Sequence, residues 1–282
     1  MKKCGFIAVL GETNSGKSSL INKLVGQKVS IVSRKVQTTL SKILGIVIHN
    51  ESQIILVDTP GFLKNKKSDN LEKITWDAFR ESDAILFMID ASKKDFKNSI
   101  ALLKKIDPQK KTSLVMNKID LIHKPKLLEI AVSLDKTRNF ENIFMISSVT
   151  GSGISKILDY LSKTIPEGEW IFDENEITDS SFEKYTSEIT REHIYHRLHQ
   201  EIPYKCMVKT EHYQNQADGS VKIVQNIYVK NDSHRKIILG SKGNKIKAIG
   251  QAARQELSRL LGKNVHLFLH VFVGDPSSVI HD

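Results

Sequence analysis

An eight-residue stretch near the start of the chain has the residue types and spacing needed to bind a polyphosphate. It matches the pattern G-x-x-x-x-G-K-[ST] at every position. Its glycines let the backbone turn so that several N–H groups point at one spot, its lysine can charge-pair with the outer phosphates, and its last hydroxyl can ligate Mg²⁺. The members of this phosphate loop are Gly11, Glu12, Thr13, Asn14, Ser15, Gly16, Lys17 and Ser18.

Two further stretches could complete a site for Mg²⁺ and a γ-phosphate. Asp58-Thr59-Pro60-Gly61 follows a strand-like run, so the Asp58 carboxylate can hold Mg²⁺ through water while the Gly61 N–H approaches the γ-phosphate. Residues 33–40 are polar and poorly patterned, as in a loop. Such a loop can carry a threonine that reaches the metal only when the γ-phosphate is present. Thr39 is the candidate for this role, with Thr38 as the alternative.

The tetrapeptide Asn117-Lys118-Ile119-Asp120 could recognise a purine base, because it comes at the end of another strand-like run. The Asp120 carboxylate can accept from guanine N1–H and N2–H₂, Lys118 can lie along the ring, and Asn117 can tie the site to the phosphate loop. Adenine offers no such donor pair and would leave the carboxylate unpaired. Ser147 and Ser148 are placed for backbone contacts to guanine O6. The predicted ligand is therefore GTP or GDP.

A second kind of chemistry is indicated by the turn Gly240-Ser241-Lys242-Gly243, which lies between two helix-like runs with basic flanks. Glycines at such a turn permit close approach of a nucleic-acid backbone, and the cations attract its phosphates. The alternative is a glycine that ends a helix beside lysines exposed to solvent, which would show the same four residues. The surrounding order of helix, two strands, two helices and strand favours a KH unit that binds single-stranded RNA. Its predicted contacts are Arg235, Gly240, Ser241, Lys242, Gly243, Lys245 and Lys247.

The elements that must position the first set of residues alternate between strands and helices up to residue 165. Residues 5–10 form a strand-like run into the phosphate loop, and residues 18–25 form a helix-like run out of it. A glycine-rich turn without a ligand is the alternative, but such a turn would not need a strand directly before it and a helix directly after it. The apolar run 84–89 suits a parallel strand covered on both faces. The pattern predicts an α/β domain with a doubly wound, mostly parallel sheet and its ligand at the carboxyl ends of the strands.

Length and charge indicate two domains and a polyanionic partner. A chain of 282 residues exceeds one typical domain, and residues 166–182 hold six acidic side chains and no basic one. We predict a nucleotide-binding domain over 1–165, an acidic linker over 166–183 and an RNA-binding domain over 184–282. The net charge is +10, and residues 231–263 contain eight Lys or Arg against two acidic residues. This patch fits a nucleic-acid partner.

The sequence also predicts where the protein works. No apolar run approaches the roughly 18 residues of a membrane span, and the first residues lead into a strand rather than into a signal sequence. Cys4 and Cys206 lie far apart without a C-x-x-C pairing, so we expect both to be reduced. A cytoplasmic location follows from these observations.

The ordered motifs of the first domain together resemble the GTPase superfamily. Phe62 is a departure, because many members place a water-orienting glutamine there. Asn14 matches an asparagine that helps hold a K⁺ ion beside the phosphates in one bacterial, translation-linked branch. Alternatively, the Asn14 side chain only stabilises the loop. The resemblance implies that Lys17, Thr39 and Asn14 serve catalysis, with Mg²⁺ held by Ser18, Thr39 and Asp58.

Over nearly the whole chain, the sequence resembles the Era family of bacterial GTPases, in which a P-loop GTPase domain precedes a smaller α+β KH domain of type II. The resemblance implies binding near the 3′ end of small-subunit ribosomal RNA, a role in assembly of the 30S subunit and rRNA processing, and peripheral contact with the inner membrane. We expect a monomer. Two alternatives are a membrane-associated signalling GTPase without an RNA role and an RNA-modifying enzyme that uses GTP for docking.

Overall fold

The computed structural model describes residues 1–32, 43–59, 75–77, 79–198 and 206–274. They fall into two compact units, Met1–Asp179 and Ser180–Asp282. Thr38 and Thr39 lie outside the described residues, as do Pro60, Gly61 and Phe62. The roles predicted for these five residues therefore stay predictions.

A six-stranded sheet forms the centre of the first unit. Its strands are β1 (Lys3–Gly11), β2 (Ile43–His49), β3 (Ser52–Asp58), β4 (Ala84–Asp90), β5 (Thr112–Asn117) and β6 (Ile143–Met145). They lie in the order β2-β3-β1-β4-β5-β6, and β2 pairs antiparallel with β3 while the other pairs are parallel. The carboxyl ends of β1, β3, β4 and β5 therefore meet at one edge, where ligands of such sheets bind.

Helices cover both faces of this sheet. They are α1 (Lys17–Val25), α2 (Lys97–Leu103), α3 (Lys124–Asp135) and α4 (Ser155–Thr164). Alternate side chains of β1 enter two different cores, because successive residues of a strand point to opposite faces. Val9 packs in one core with Leu20 of α1, and Leu10 packs in the other with Leu102 of α2. The predicted doubly wound sheet is confirmed.

Much of the predicted acidic linker packs along the first unit. The Gln53 side chain accepts from the backbone N–H of Phe172 at 3.0 Å and donates to its carbonyl at 2.7 Å. Farther along, the Ile177 carbonyl accepts from Ile46 N–H at 2.9 Å, and Asp179 Oδ1 accepts from Leu44 N–H at 3.0 Å. These bonds fix residues 172–179 against β2 and β3, so the boundary between the units falls after Asp179.

The second unit has the element order that the sequence predicts for a type II KH domain. Its elements are α5 (Phe182–Arg197), β7 (Cys206–Asn215), β8 (Val221–Val229), α6 (Asp232–Leu239), α7 (Asn244–Leu261) and β9 (Val265–Val273). The sheet order is β7-β8-β9, antiparallel between β7 and β8 and parallel between β8 and β9. Ile194 of α5, Ile227 of β8, Ile238 of α6 and Ile249 of α7 meet in its buried core.

In the described part of the chain, no helix has the length and apolar character needed to cross a membrane. Cys4 and Cys206 are both buried and unbridged, as predicted. Burial raises the pKa of the Cys4 thiol, which keeps it protonated and unreactive.

Candidate functional site

The phosphate loop connects β1 to α1, and its glycines are required by close contacts. A Cβ at Gly11 would lie 2.3 Å from the Met88 carbonyl, and one at Gly16 would lie 2.2 Å from Asn117 Nδ2. Gly16 also has φ 103°, a conformation that favours glycine. Larger residues would push the loop away from β4 and from the end of β5. The two glycines therefore hold the loop against the edge of the sheet.

Lys17 is buried inside this loop. Its Nζ donates to the carbonyls of Gly11 and Glu12, both at 3.1 Å. Burial lowers its pKa to about 8, and the nearby carboxylates of Asp58 and Glu12 only partly oppose this effect. The ammonium is thus held in a concave site where few other charges neutralise it, which suits it to an incoming phosphate.

We expect the affinity for a guanine nucleotide to fall as the pH rises above about 8. Below that pH, Lys17 carries its charge in the free loop; above it, the free loop loses the proton and part of its attraction for phosphate. Bound phosphate favours the charged form, so binding of Mg-GDP near pH 8.5 should take up roughly half a proton or more. Titration calorimetry in two buffers of different ionisation enthalpy measures this proton uptake. If the uptake near pH 7 equals that near pH 8.5, Lys17 is not the group that takes up the proton.

The two described groups predicted to hold Mg²⁺ lie side by side. Ser18 Oγ donates to Asp58 Oδ2 at 2.7 Å. The next residue, Thr59, is fixed by a bond from its hydroxyl to the Val9 carbonyl at 2.9 Å, which ties the end of β3 to β1. The Ser15 hydroxyl is buried without a hydrogen-bond partner among the described residues. The Ser18 hydroxyl and the Asp58 carboxylate are oxygen ligands of the kind that a hard cation prefers, and oxygens of a nucleotide phosphate would complete the coordination of that cation.

Asn117 connects the loop predicted to bind the base with the phosphate loop. Its Nδ2 donates to the Ser15 carbonyl at 2.8 Å. Its Oδ1 accepts from Ser148 N–H at 2.9 Å and from Ser148 Oγ at 2.8 Å. Ser147 closes the turn after β6, since its hydroxyl accepts from Thr150 N–H at 3.1 Å. One buried amide therefore brings together three segments that are far apart in sequence.

Lys118 and Asp120, the other two predicted contacts of the tetrapeptide, are less buried than Asn117. Lys118 has φ 66°, and its Nζ pairs with Asp90 Oδ2 at 2.5 Å. Asp120 lies exposed in the short 3-10 turn Ile119–Leu121. A carboxylate that is open to solvent on this side of the sheet edge can reach the polar edge of a base.

Four residues that hold these loops in place were not predicted from the sequence. They lie between the last residue of β4 and the first turn of α2 and are Asp90, Lys93, Asn98 and Ser99. Asp90 holds Lys118, whereas the other three bind the Glu12 carboxylate. No motif marks this segment, because its contacts depend on the fold that places β4 between β1 and β5. Only knowledge of that strand order could have pointed to it.

The turn Gly240-Ser241-Lys242-Gly243 joins α6 to α7, and the two glycines differ in what they do. Gly240 has φ 71° and ψ 177°, a conformation essentially restricted to glycine, and a Cβ there would lie 2.7 Å from Lys245 Cγ. Gly243 has φ 77°, but a Cβ there would have only Ile246 Cγ2 nearby, at 4.0 Å. Gly240 therefore serves the fold, while Gly243 keeps the outer surface of the turn free.

The predicted cations of this turn are all exposed. They are Arg235, Lys242, Lys245 and Lys247. Beside them, a groove of about 470 Å³ runs between α7 and β9, lined by Ile246, Lys247, Gly250, Gln251, Arg254, Leu267 and Leu269. Only Lys247 among these seven was predicted from the sequence, although the apolar alternation of β9 and the basic face of α7 are signals that could have pointed to the groove. A groove with an apolar floor and cations at its rim fits single-stranded nucleic acid.

The fold and the two sites define a GTPase whose nucleotide-binding domain is followed by a KH domain. Two family models agree with this class. A model described as 50S ribosome-binding GTPase matches residues 6–118, and a KH domain model matches residues 201–277.

Curated relatives then identify the family. The protein named GTPase Era from Mesorhizobium japonicum is 43% identical over 272 residues, which cover 95% of this chain and 88% of that one. The protein of the same name from Brucella suis is 45% identical over 274 residues, covering 96% and 88%. The chain belongs to the Era family of GTPases.

Solved structures of Era have the same fold over the full chain. One contains Era with MgGDPNP and nucleotides 1506–1542 of 16S ribosomal RNA; it is 35% identical, has a TM-score of 0.90, and the match covers 100% of this chain and 97% of that one. Another is a point variant of Aquifex aeolicus Era bound to GDP and AlF4⁻, with 35% identity, a TM-score of 0.89 and coverage of 97% and 94%.

Proposed function

We propose that this GTPase uses GTP and GDP to switch its binding to single-stranded ribosomal RNA near the 3′ end of the small-subunit rRNA, and so assists 30S assembly and rRNA processing. The observation that carries the nucleotide half is the buried Asn117 amide, which joins the phosphate loop to the two loops predicted to bind the base. The Era structure with a GTP analogue and 16S rRNA supports both halves, since the match to it covers all of this chain.

The nucleotide site uses backbone N–H groups and a few side chains. The loop from Gly11 to Ser18 cradles the phosphates, Lys17 pairs with the outer ones, and Asp120 accepts from the base. The proposed contacts are Gly11, Glu12, Thr13, Asn14, Ser15, Gly16, Lys17, Ser18, Asp58, Thr59, Pro60, Gly61, Asn117, Lys118, Asp120, Ser147 and Ser148. The helix N-terminus at α1 and the buried Lys17 charge favour the phosphates electrostatically.

Mg²⁺ is the proposed metal of this site, held by Ser18, Thr39 and Asp58. Among the described residues, no group of three or more His, Cys, Asp or Glu side chains could hold a metal ion by itself. The pair Ser18 and Asp58 supplies two oxygen ligands, and the nucleotide would supply others. When bound there, Mg²⁺ would neutralise charge on the phosphates during hydrolysis.

RNA is the proposed ligand of the turn and groove in the second unit. Gly240, Ser241, Lys242 and Gly243 form the surface that the phosphate backbone approaches, and Arg235, Lys245 and Lys247 add charge. The groove between α7 and β9 continues from this turn and would hold the bases. The wider proposal includes action as a monomer in the cytoplasm, with peripheral contact at the inner membrane, as the family resemblance implies.

Crosslinking in cells followed by sequencing of the bound RNA tests the proposed function. Reads concentrated near the 3′ end of small-subunit rRNA are the expected result. A variant with Lys242, Lys245 and Lys247 changed to Gln is the control, because it removes charges from the turn while leaving the nucleotide site in the other unit intact. Reads spread evenly over cellular RNA, or unchanged in the control, would refute the RNA half of the proposal.

We expect hydrolysis of GTP to be about tenfold faster in K⁺ than in Na⁺ at equal ionic strength. Asn14 would hold a monovalent cation beside the phosphates, where the cation offsets developing charge, and Phe62 cannot orient a water as glutamine does. Asn14 has φ 62°, so Asn14→Gly removes the side-chain oxygen without straining the backbone. Phosphate release measured in the two salts should differ for the parent and become equal for Asn14→Gly. Equal rates of hydrolysis by the parent protein in K⁺ and in Na⁺ would rule out a role for a monovalent cation beside the phosphates.

A further inference from the structure

Glu12 places a carboxylate inside the phosphate loop, where its charge should oppose a polyphosphate. The side chain is 14% exposed, and its backbone carbonyl accepts from Lys17 Nζ at 3.1 Å, so it belongs to the same structural unit as the phosphate-binding lysine. Like charges a few ångströms apart in a partly buried site repel strongly. The loop therefore needs a way to neutralise this carboxylate.

Lys93, on the segment after β4, supplies the opposite charge. Its Nζ lies 2.6 Å from Glu12 Oε2, and Ser99 Oγ donates to Glu12 Oε1. Burial alone would raise the pKa of Glu12, but the hydrogen bonds from Lys93 and Ser99 hold it below its ordinary value. The carboxylate is therefore ionised, paired and turned toward the 90–99 segment.

The same segment also fixes the loop that contains Lys118. Asp90 Oδ2 lies 2.5 Å from Lys118 Nζ, and Asp90 Oδ1 accepts from Ser92 N–H at 3.0 Å and from Ser92 Oγ at 2.6 Å. A backbone bond from Lys93 N–H to the Asp90 carbonyl at 3.2 Å joins the two anchoring residues. Two ion pairs on one short segment thus hold two loops at the carboxyl edge of the sheet.

We propose that Lys93 is a positioning residue of the nucleotide site, which neutralises Glu12 and holds it away from the phosphates. The inference rests on the proposed binding of guanine nucleotides to the phosphate loop. Without Lys93, the Glu12 carboxylate keeps only neutral donors, and a buried charge whose partner is removed is costly. The uncompensated charge would repel the phosphates and loosen the loop around Lys17.

A double-mutant cycle between Lys93 and Glu12 tests this inference in the full-length protein. The dissociation constants of GDP and of a non-hydrolysable GTP analogue are measured for the parent, Lys93→Met, Glu12→Gln and the double variant. We expect Lys93→Met to weaken binding about tenfold, and the GTP analogue more than GDP. Glu12→Gln alters the phosphate loop itself and is therefore the reference background, in which the repelling charge is absent. The double variant should match Glu12→Gln.

Lys94→Met is the matched control, because it removes the same charge from the next, exposed residue of the same segment. It should change both constants less than about twofold. Rescue of Lys93→Met by Glu12→Gln supports the inference, since a merely structural loss would persist in the double variant. Additive losses, or equal losses in Lys93→Met and Lys94→Met, would overturn it. A parent protein that binds no guanine nucleotide would instead refute the proposed function.

Discussion

Asp120→Asn should lower the affinity for GTP about a hundredfold or more and create affinity for xanthosine triphosphate. The Asp120 carboxylate accepts from two adjacent donors on guanine, and each charge-assisted hydrogen bond contributes about 1.5–3 kcal/mol. Asparagine offers one acceptor and one donor, so one guanine donor faces another donor. Xanthine carries a carbonyl at that position and restores the match. Titration calorimetry gives the dissociation constants of both nucleotides and so measures the change in base preference.

The control for this experiment is Glu129→Gln, which removes an exposed carboxylate on α3 of the same domain. It should bind GTP like the parent and xanthosine triphosphate no better than the parent. Circular dichroism should show both variants folded, because Asp120 is exposed and accounts for none of the buried contacts of Asn117. GTP affinity that survives in Asp120→Asn would remove Asp120 from the base site.

The contiguous parts of the site were predictable from the sequence. Gly11 and Gly16 belong to one short pattern whose spacing is set by the geometry of a strand, a turn and a helix. The fold class was predictable for a related reason, because the apolar strands and the helices between them alternate along the chain. The comparisons with known proteins confirm the GTPase and KH classes. Local pattern was sufficient wherever neighbours in sequence are neighbours in space.

The remaining parts depend on contacts between distant segments. Lys93 supports the site because β4 lies beside β1, and Asp90 supports it because β4 lies beside β5, an order that no local pattern specifies. Gln53 likewise looks like an ordinary polar residue in a strand, yet its buried amide binds the backbone of Phe172. The acidic residues around Phe172 suggested a linker between the two domains, but their charge does not reveal that the segment is attached to the first unit through its backbone. Such residues are found from the fold and not from their own neighbours.

Gly243→Asp should reduce RNA affinity about a hundredfold or more while leaving GTP binding unchanged. The exposed turn carries a glycine with open space at its Cβ position, and although its φ of 77° strains any side chain, aspartate adopts this conformation more readily than most residues. An RNA backbone that packs on the turn would meet the added side chain. The aspartate also places a negative charge against the phosphates, so steric fit and electrostatic attraction are lost together. The phosphate loop lies in another unit and shares no atoms with the turn. Fluorescence anisotropy with a single-stranded RNA from the 3′ end of 16S rRNA measures the loss.

Two matched variants separate the causes of that loss. Gly262→Asp makes the same change at another glycine of positive φ with open space around its Cβ, at the far end of α7, and should bind RNA nearly as the parent does. Gly243→Asn has almost the shape of the aspartate without its charge, so its affinity should fall between that of Gly243→Asp and the parent. Lys242→Met should lower the slope of log affinity against log salt by roughly 0.7, the value for one lost contact to a single-strand phosphate. If folded Gly243→Asp binds RNA like the parent, the backbone does not pack on this turn and the basic residues around it are only a solvated surface.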